Sequence, residues 1–180
     1  MQDPDPGRFA ASVLPHLDAA YNLARGLVRD PHDAQDVVQD ALVRALRHFD
    51  GFRGGDPRPW LLAIVRNAAF AWLGARRPGE VDVPEDELDA ALADGAPPTD
   101  PETLAIRRAE RAAVDAAIAA LPIAFREVVV LREFEEMSYR DIARITDVPI
   151  GTVMSRLSRG RHLLAAALRP SASIAPRTLA

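Results

Sequence analysis

Apolar residues recur three and four positions apart along most of the chain, the spacing that gathers them on one side of an α-helix. Between Phe9 and Val28 the repeat is Val13, Leu17, Ala20, Tyr21, Ala24, Leu27 and Val28, and Pro15 limits how far upstream a single helix extends. Asp30-Pro31 then reads as a cap followed by a first-turn proline, opening a helix to about Phe49. That helix sets Ala34, Val38, Ala41, Leu42, Ala45 and Leu46 on one side and Asp33, Asp36, Asp40, Arg44 and Arg47 on the other. A loop from Gly51 to Pro59, with three Gly and two Pro in nine residues, leads into a strongly apolar helix from Trp60 to Leu73, marked in its middle by Arg66 and Asn67.

Helical spacing lapses from Gly79 to Glu102 and resumes at Pro101, where Leu104, Ala105, Ala109, Ala112, Val114, Ala117 and Ile118 lead to Leu121. Pro122 opens a further helix through Phe125, Val128, Val129, Leu131 and Phe134. Ser138, answered by Asp141, caps a short helix with Ile142, Ala143 and Ile145 on its apolar side. After the break at Thr146 to Pro149, Val153, Leu157 and Leu164 form one buried stripe, with Thr152, Ser155, Arg156 and Arg159 opposite. The pattern predicts an all-α protein of two small helical domains, each with its own core, the second built from four helices. The expected boundaries are 8–78 for the first domain, 79–102 for an acidic flexible linker, 103–169 for the second domain and 170–180 for a frayed tail.

Charge sharpens this division. The 180 residues carry a formal net charge of −4, yet from Val148 to Arg169 there are four arginines and no carboxylate, while residues 79–102 hold nine acids and no base. The linker is either a solubilising spacer or a tethered strand whose charge resembles that of DNA. Two short helices with hydroxyls and guanidinium groups on the outer face of the second match a helix-turn-helix that reads a major groove; the plainer reading is a solvated surface. With a mildly acidic total, any DNA contact is local or made with a partner's help. Asn67, beside the glycine-rich loop, Trp60, Arg66 and the Arg76-Arg77 pair, is either an ordinary exposed amide or part of a surface for single-stranded DNA. The acidic face of the helix after Asp30 is either solvated or a docking surface for a basic partner.

Other chemistries find no support. The chain has no cysteine, so disulfides, thiolate metal sites and cysteine nucleophiles are excluded. Its four histidines stand at no ligand spacing, and no phosphate-binding glycine loop or nucleophile motif is present, so neither an enzyme, a cofactor nor a metal is expected. No apolar run reaches membrane-spanning length and the N-terminus is acidic and proline-bearing, which predicts a cytoplasmic protein without membrane insertion.

Three stretches in order, Asp33 to Phe52 (DAQDVVQDALVRALRHFDGF), Arg58 to Leu73 (RPWLLAIVRNAAFAWL) and Leu121 to Leu164, resemble the signature segments of bacterial sigma factors of the extracytoplasmic-function type. The resemblance implies a sigma-two domain, a sigma-four domain and a promoter-specificity subunit that binds core RNA polymerase and recognises −10 and −35 elements. It implies that Asp33, Asp36, Gln39 and Asp40 dock on the β′ clamp coiled coil, and that the second domain meets the β flap. It further implies that Phe52, Arg53, Trp60, Arg66 and Asn67 capture a flipped base of the −10 element. Thr152, Met154, Ser155, Arg156, Ser158 and Arg159 would read the −35 element, with Tyr139 and Arg161 on backbone phosphates. An anti-sigma factor is the remaining expected partner. The chain departs from the family pattern at Met154, where Lys or Arg is common, and at Gly160, where Ala is commoner and the glycine is expected to soften the helix. It is also poor in arginine from Ala71 to Arg77. The alternative reading is a dimeric helix-turn-helix regulator whose residues 8–78 sense a ligand or dimerise.

Overall fold

Acid-proline pairs punctuate the N-terminal half. In the computed structural model, which describes residues 6–77, 79 and 103–169 with the side chains of 103–110 excepted, Pro15 divides the first helical stretch into α1 (Pro6–Val13), a 3-10 turn (Leu14–His16) and α2 (Leu17–Val28). The ring removes one backbone donor and clashes with the preceding turn, so the chain changes direction there. Asp30 caps α3 (Pro31–His48) by accepting from the amides of His32 at 2.8 Å and Asp33 at 3.1 Å. The Asp33 amide, then that of His32, holds the Asp30 carboxyl below the usual carboxylate range. Asp56 repeats the device, accepting from the Arg58 amide at 2.9 Å, so α4 spans Pro57–Arg76 and starts three residues before the expected Trp60. The loop of the first domain shrinks accordingly, after a 3-10 turn at Phe49–Gly51.

Helices α2, α3 and α4 enclose Leu23, Leu27, Leu61, Leu62, Val65 and Leu73, with Ala20, Ala41 and Ala45 keeping the helices close. Of the expected α3 stripe, Ala34, Ala41 and Ala45 are buried, Val38 and Leu42 half-buried and Leu46 38% exposed, while Val37, not expected there, is buried.

The second half comprises α5 (Thr103–Ala120), α6 (Ile123–Val129), a π-helical turn (Val130–Phe134), α7 (Tyr139–Thr146) and α8 (Ile150–Ala167). The single helix expected from Pro122 through Phe134 widens at Val130, whose carbonyl accepts from the Glu135 amide at 3.2 Å, five residues on. The extra residue per turn rotates Phe134 outward to 52% exposure. Ser138 Oγ accepts from the Asp141 amide at 3.1 Å, and α7 ends at Asp147 in the left-handed conformation, φ 55°. In α8, Val153 and Leu157 are buried as expected and Leu164 is half-buried.

Gly160 is also buried, and this corrects its expected role. A Cβ there would lie 2.8 Å from Val129 Cγ2 and 3.5 Å from Phe125 Cβ, so the missing side chain lets α8 approach α6. Close packing offsets the roughly 1 kcal/mol that glycine costs inside a helix.

The two modules share one interior rather than two. Their buried residues form a continuous apolar cluster from Leu23 and Leu27 of α2 through Val65 and Ala69 of α4 to Val128, Val130 and Ile142. Contact is close enough that a Cβ on Gly26 of α2 would meet Val130 Cγ2 at 2.8 Å. Residues 80–102 and 170–180, on which the linker and tail expectations fall, lie outside the described residues.

Candidate nucleic-acid interface

Helix α8 carries a coherent outer face. Met154, Ser155, Ser158 and Arg159 are exposed, Thr152 is half-buried, and Ser155 Oγ donates to the Thr152 carbonyl at 3.0 Å. Met154, 54% exposed, is an apolar tip amid polar ones, the kind of group that meets a thymine methyl. Arg161 is exposed but engaged: its guanidinium lies 2.6 Å from a Glu133 carboxylate oxygen, whose hydrogen bond raises the arginine's pKa further. Tyr139, half-buried at the start of α7, packs its ring against the Arg132 guanidinium 5.0 Å away.

In the N-terminal module a group of aromatic rings stands where the helix α4 begins. Phe52 lies stacked on Phe49 at 5.9 Å and tilted against Trp60 at 5.1 Å, while Phe9 of α1 meets Phe49 edge-on at 5.3 Å. Such rings offer a platform on which an unstacked base can lie. Phe52 and Trp60 were expected here; Phe9, which only the fold brings to this place, was not, nor was Phe49, which is buried and backs the other rings. Arg53 and Asn67 are exposed. Between Phe52 and Asp56 the chain turns through Gly54 and Gly55, with φ of 92° and 91°, a region that L side chains rarely adopt.

Arg66 and Arg156, expected on two different DNA faces, converge on one carboxylate instead. Arg66 Nε donates to Glu127 at 2.6 Å and its Nη2 at 3.4 Å, while Arg156 Nη1 approaches the same group at 3.5 Å. Glu127 is 1% exposed; burial pushes its carboxyl above the usual range, and Arg66 and then Arg156 pull it back. Nearby, Glu135, 4% exposed, accepts from Arg58 at 2.6 Å and from Asn22 at 2.9 Å. Arg126 crosses the same boundary, donating to the carbonyls of Leu27 at 3.0 Å, Leu121 at 2.7 Å and Ala119 at 3.1 Å. Buried charges persist only when paired this way, so these groups fix how the modules meet. Sequence reasoning missed Arg58, Arg126, Glu127 and Glu135; the one available signal was that Arg126 and Glu127 interrupt the apolar run from Phe125 to Val130.

On α3, Asp36, Gln39 and Asp40 point to solvent, and Asp33 is half-buried with Arg76 3.4 Å away. Asp40 pairs along the helix with Arg44 at 2.7 Å.

Comparison with known proteins agrees with this layout. Residues 13–77 match the family Sigma-70 region 2, and residues 111–164 match Sigma-70, region 4. The chain is similar to the RNA polymerase sigma-H factor of Pseudomonas aeruginosa, 36% identical over 94% of this chain and 91% of that one. It is 38% identical to the ECF RNA polymerase sigma-E factor of Escherichia coli K12, over 77% of this chain and 75% of that one. Among solved structures it resembles the sigma factor RpoE of Bartonella quintana, crystallised with the anti-sigma factor NepR, with a TM-score of 0.68, 27% identity and coverage of 89% and 96% of the two chains. CnrH in complex with the cytosolic domain of CnrY gives a TM-score of 0.63 at 25% identity, over 91% of this chain and 89% of that one. With two family regions in order and relatives of this likeness over nearly the whole length, the chain belongs to the sigma-70 family of transcription initiation factors, in its extracytoplasmic-function group.

Proposed function

We infer that the protein is a promoter-specificity subunit: it binds core RNA polymerase, recognises −35 and −10 elements with its two modules and assists strand opening, without making or breaking covalent bonds itself. The observation that carries this reading is the outer face of α8, where Met154, Ser155, Ser158 and Arg159 stand exposed over the buried side made by Val153, Leu157 and Gly160. Thr152, Arg156, Tyr139 and Arg161 complete the −35 set, the last two on phosphates. Phe52, Arg53, Trp60, Arg66 and Asn67 form the −10 set, with the aromatic rings stacking an extruded base and the Asn67 amide reading its edge.

Asp33, Asp36, Gln39 and Asp40 dock on the β′ clamp coiled coil, where an acidic exposed face meets a basic partner. Region 4 meets the β flap. An anti-sigma factor is a partner by analogy with the structural neighbour RpoE, which was crystallised with the anti-sigma factor NepR. As a polymerase subunit the protein works in the cytoplasm; among the described residues no helix is long and apolar enough to cross a membrane. The test is run-off transcription with core polymerase on a promoter library. Initiation that depends on this protein and falls about tenfold or more in Asn67→Ala and in Arg159→Ala is expected, in line with about 1–3 kcal/mol per base contact. A stable dimer that protects a site without polymerase would sink the reading.

A further inference from the structure

Between α2 and α5 a cavity of about 770 Å³ opens to solvent, a volume that suits a small organic ligand. Its apolar lining comes from Val114 and Ile118 of α5 and Val130 of the π-helical turn. Phe134, which that turn rotates outward to 52% exposure, adds a large ring. Three exposed guanidinium groups line it too: Arg25 of α2, Arg29 just past the end of α2, and Arg111 of α5. Asp115 is the single carboxylate against them, and it approaches Arg25 only at 3.7 Å, with both side chains well exposed. The cavity is therefore apolar within and positively charged around its edge.

Cations beside the carbonyl end of α2 are explained by the helix dipole alone. The backbone of Arg29 is not: its φ of 70° and ψ of −39° lie where glycine is favoured and an L side chain is strained. Strained backbone of this kind and π-helical turns both gather at binding sites. Here they flank one cavity, the turn supplying an exposed ring and the strained residue a guanidinium.

We propose that this cavity is a binding site for a small amphipathic anion, a planar aromatic body bearing one sulfonate, carboxylate or phosphate group. The guanidinium groups donate paired N–H bonds to the acid oxygens, and Phe134, Ile118 and Val130 take the ring. An acid without an apolar body leaves the lining wet, and a neutral ring forgoes the arginines, so only the combination uses the whole site. The ligand touches α2 of region 2 and α5 of region 4 at once. It binds the folded chain alone, and so stabilises it by mass action. None of the lining residues belongs to the sets proposed for promoter DNA or the β′ clamp, so the site stands or falls apart from the promoter reading.

The experiment titrates the full chain with anilinonaphthalene sulfonate, an aromatic anion whose fluorescence rises in apolar surroundings. Saturable binding of one dye per chain is expected. Phenylnaphthylamine, the same rings without the sulfonate, is expected to bind about tenfold more weakly. Arg111→Gln and Phe134→Ala, both at exposed positions, are expected to keep the thermal midpoint of the natural chain and to weaken dye binding about fivefold or more. Ala119→Trp fills the cavity from α5 and is expected to abolish binding; should it fail to fold, the two exposed substitutions decide alone. The dye is expected to raise the melting temperature of the natural chain and to leave that of Ala119→Trp unchanged. Fluorescence that never saturates overturns the site, as does equal affinity in the natural chain, Arg111→Gln and Phe134→Ala. Equal affinity for the neutral analogue overturns the part given to the arginines and with it the class of ligand.

Discussion

The outer face of α3 and the inner face of α4 belong to one three-helix unit and could hardly differ more. On α3, Asp36, Gln39 and Asp40 stand in solvent beside Val43 and Leu46, and the Arg44–Asp40 ion pair is an exposed one of the kind that contributes a few tenths of a kcal/mol. On α4, Arg58 and Arg66 are matched to carboxylates that water hardly reaches. The acidic face proposed for polymerase is thus open to solvent, while Arg66 of the set proposed for the −10 strand is engaged inside the molecule.

The largest expected effect breaks the inner side. Arg126→Ala strands three carbonyls and opens a cavity across the module boundary, and should cost about 3–5 kcal/mol in urea unfolding. A loss below about 1 kcal/mol would show that the Arg126 hydrogen bonds add little to the boundary. Reversing charge on the outer side, Asp36→Arg with Asp40→Arg, should weaken binding to core polymerase about tenfold to a hundredfold with the melting temperature almost unchanged. Equal polymerase affinity would move the docking surface elsewhere. Ser138→Ala removes the α7 cap and is expected to cost about 1 kcal/mol, visible as a lower unfolding midpoint with an unaltered slope.

The smallest effect is a pair of opposed pH slopes. The Asp30 carboxyl is held low by amides, so its contribution is present above the ordinary carboxylate pKa and lost as pH falls through the depressed value. The Glu127 carboxyl is pushed up by burial, so the folded chain holds that proton longer than the unfolded one. Its contribution favours folding at low pH and is lost as pH rises through the raised value. Comparing Glu127→Gln with the natural chain across mildly acidic pH should isolate the second slope; identical profiles would refute it.

Much of this molecule is local and therefore readable. Asp30-Pro31 and Ser138 announce their helices because the capping acceptor and the amides it serves lie within three residues. Asp56-Pro57 carries the same signal, masked by the glycines and prolines around it. The face of α8 was legible because helical spacing alone decides which of Val153, Met154 and Leu157 turns inward. The π-helical turn was not, since nothing in the spacing from Phe125 to Phe134 marks the residue at which the Glu135 amide reaches back five positions to the Val130 carbonyl. Arg66 and Arg156 illustrate the same boundary: spacing told which side of each helix they occupy, but their common partner Glu127 is separated from them by 61 and 29 positions.

Gly54 and Gly55 carry a last consequence. Around each, a Cβ would find open space, so nothing crowds these positions; what excludes other residues is the sign of φ. Handedness rather than room dictates the sequence of this loop. A chain assembled by chemical ligation with D-alanine at 54 and 55 would follow the same path with less freedom when unfolded, whereas L-alanine would force the turn, and the rings of Phe52 and Trp60 beside it, into a different shape.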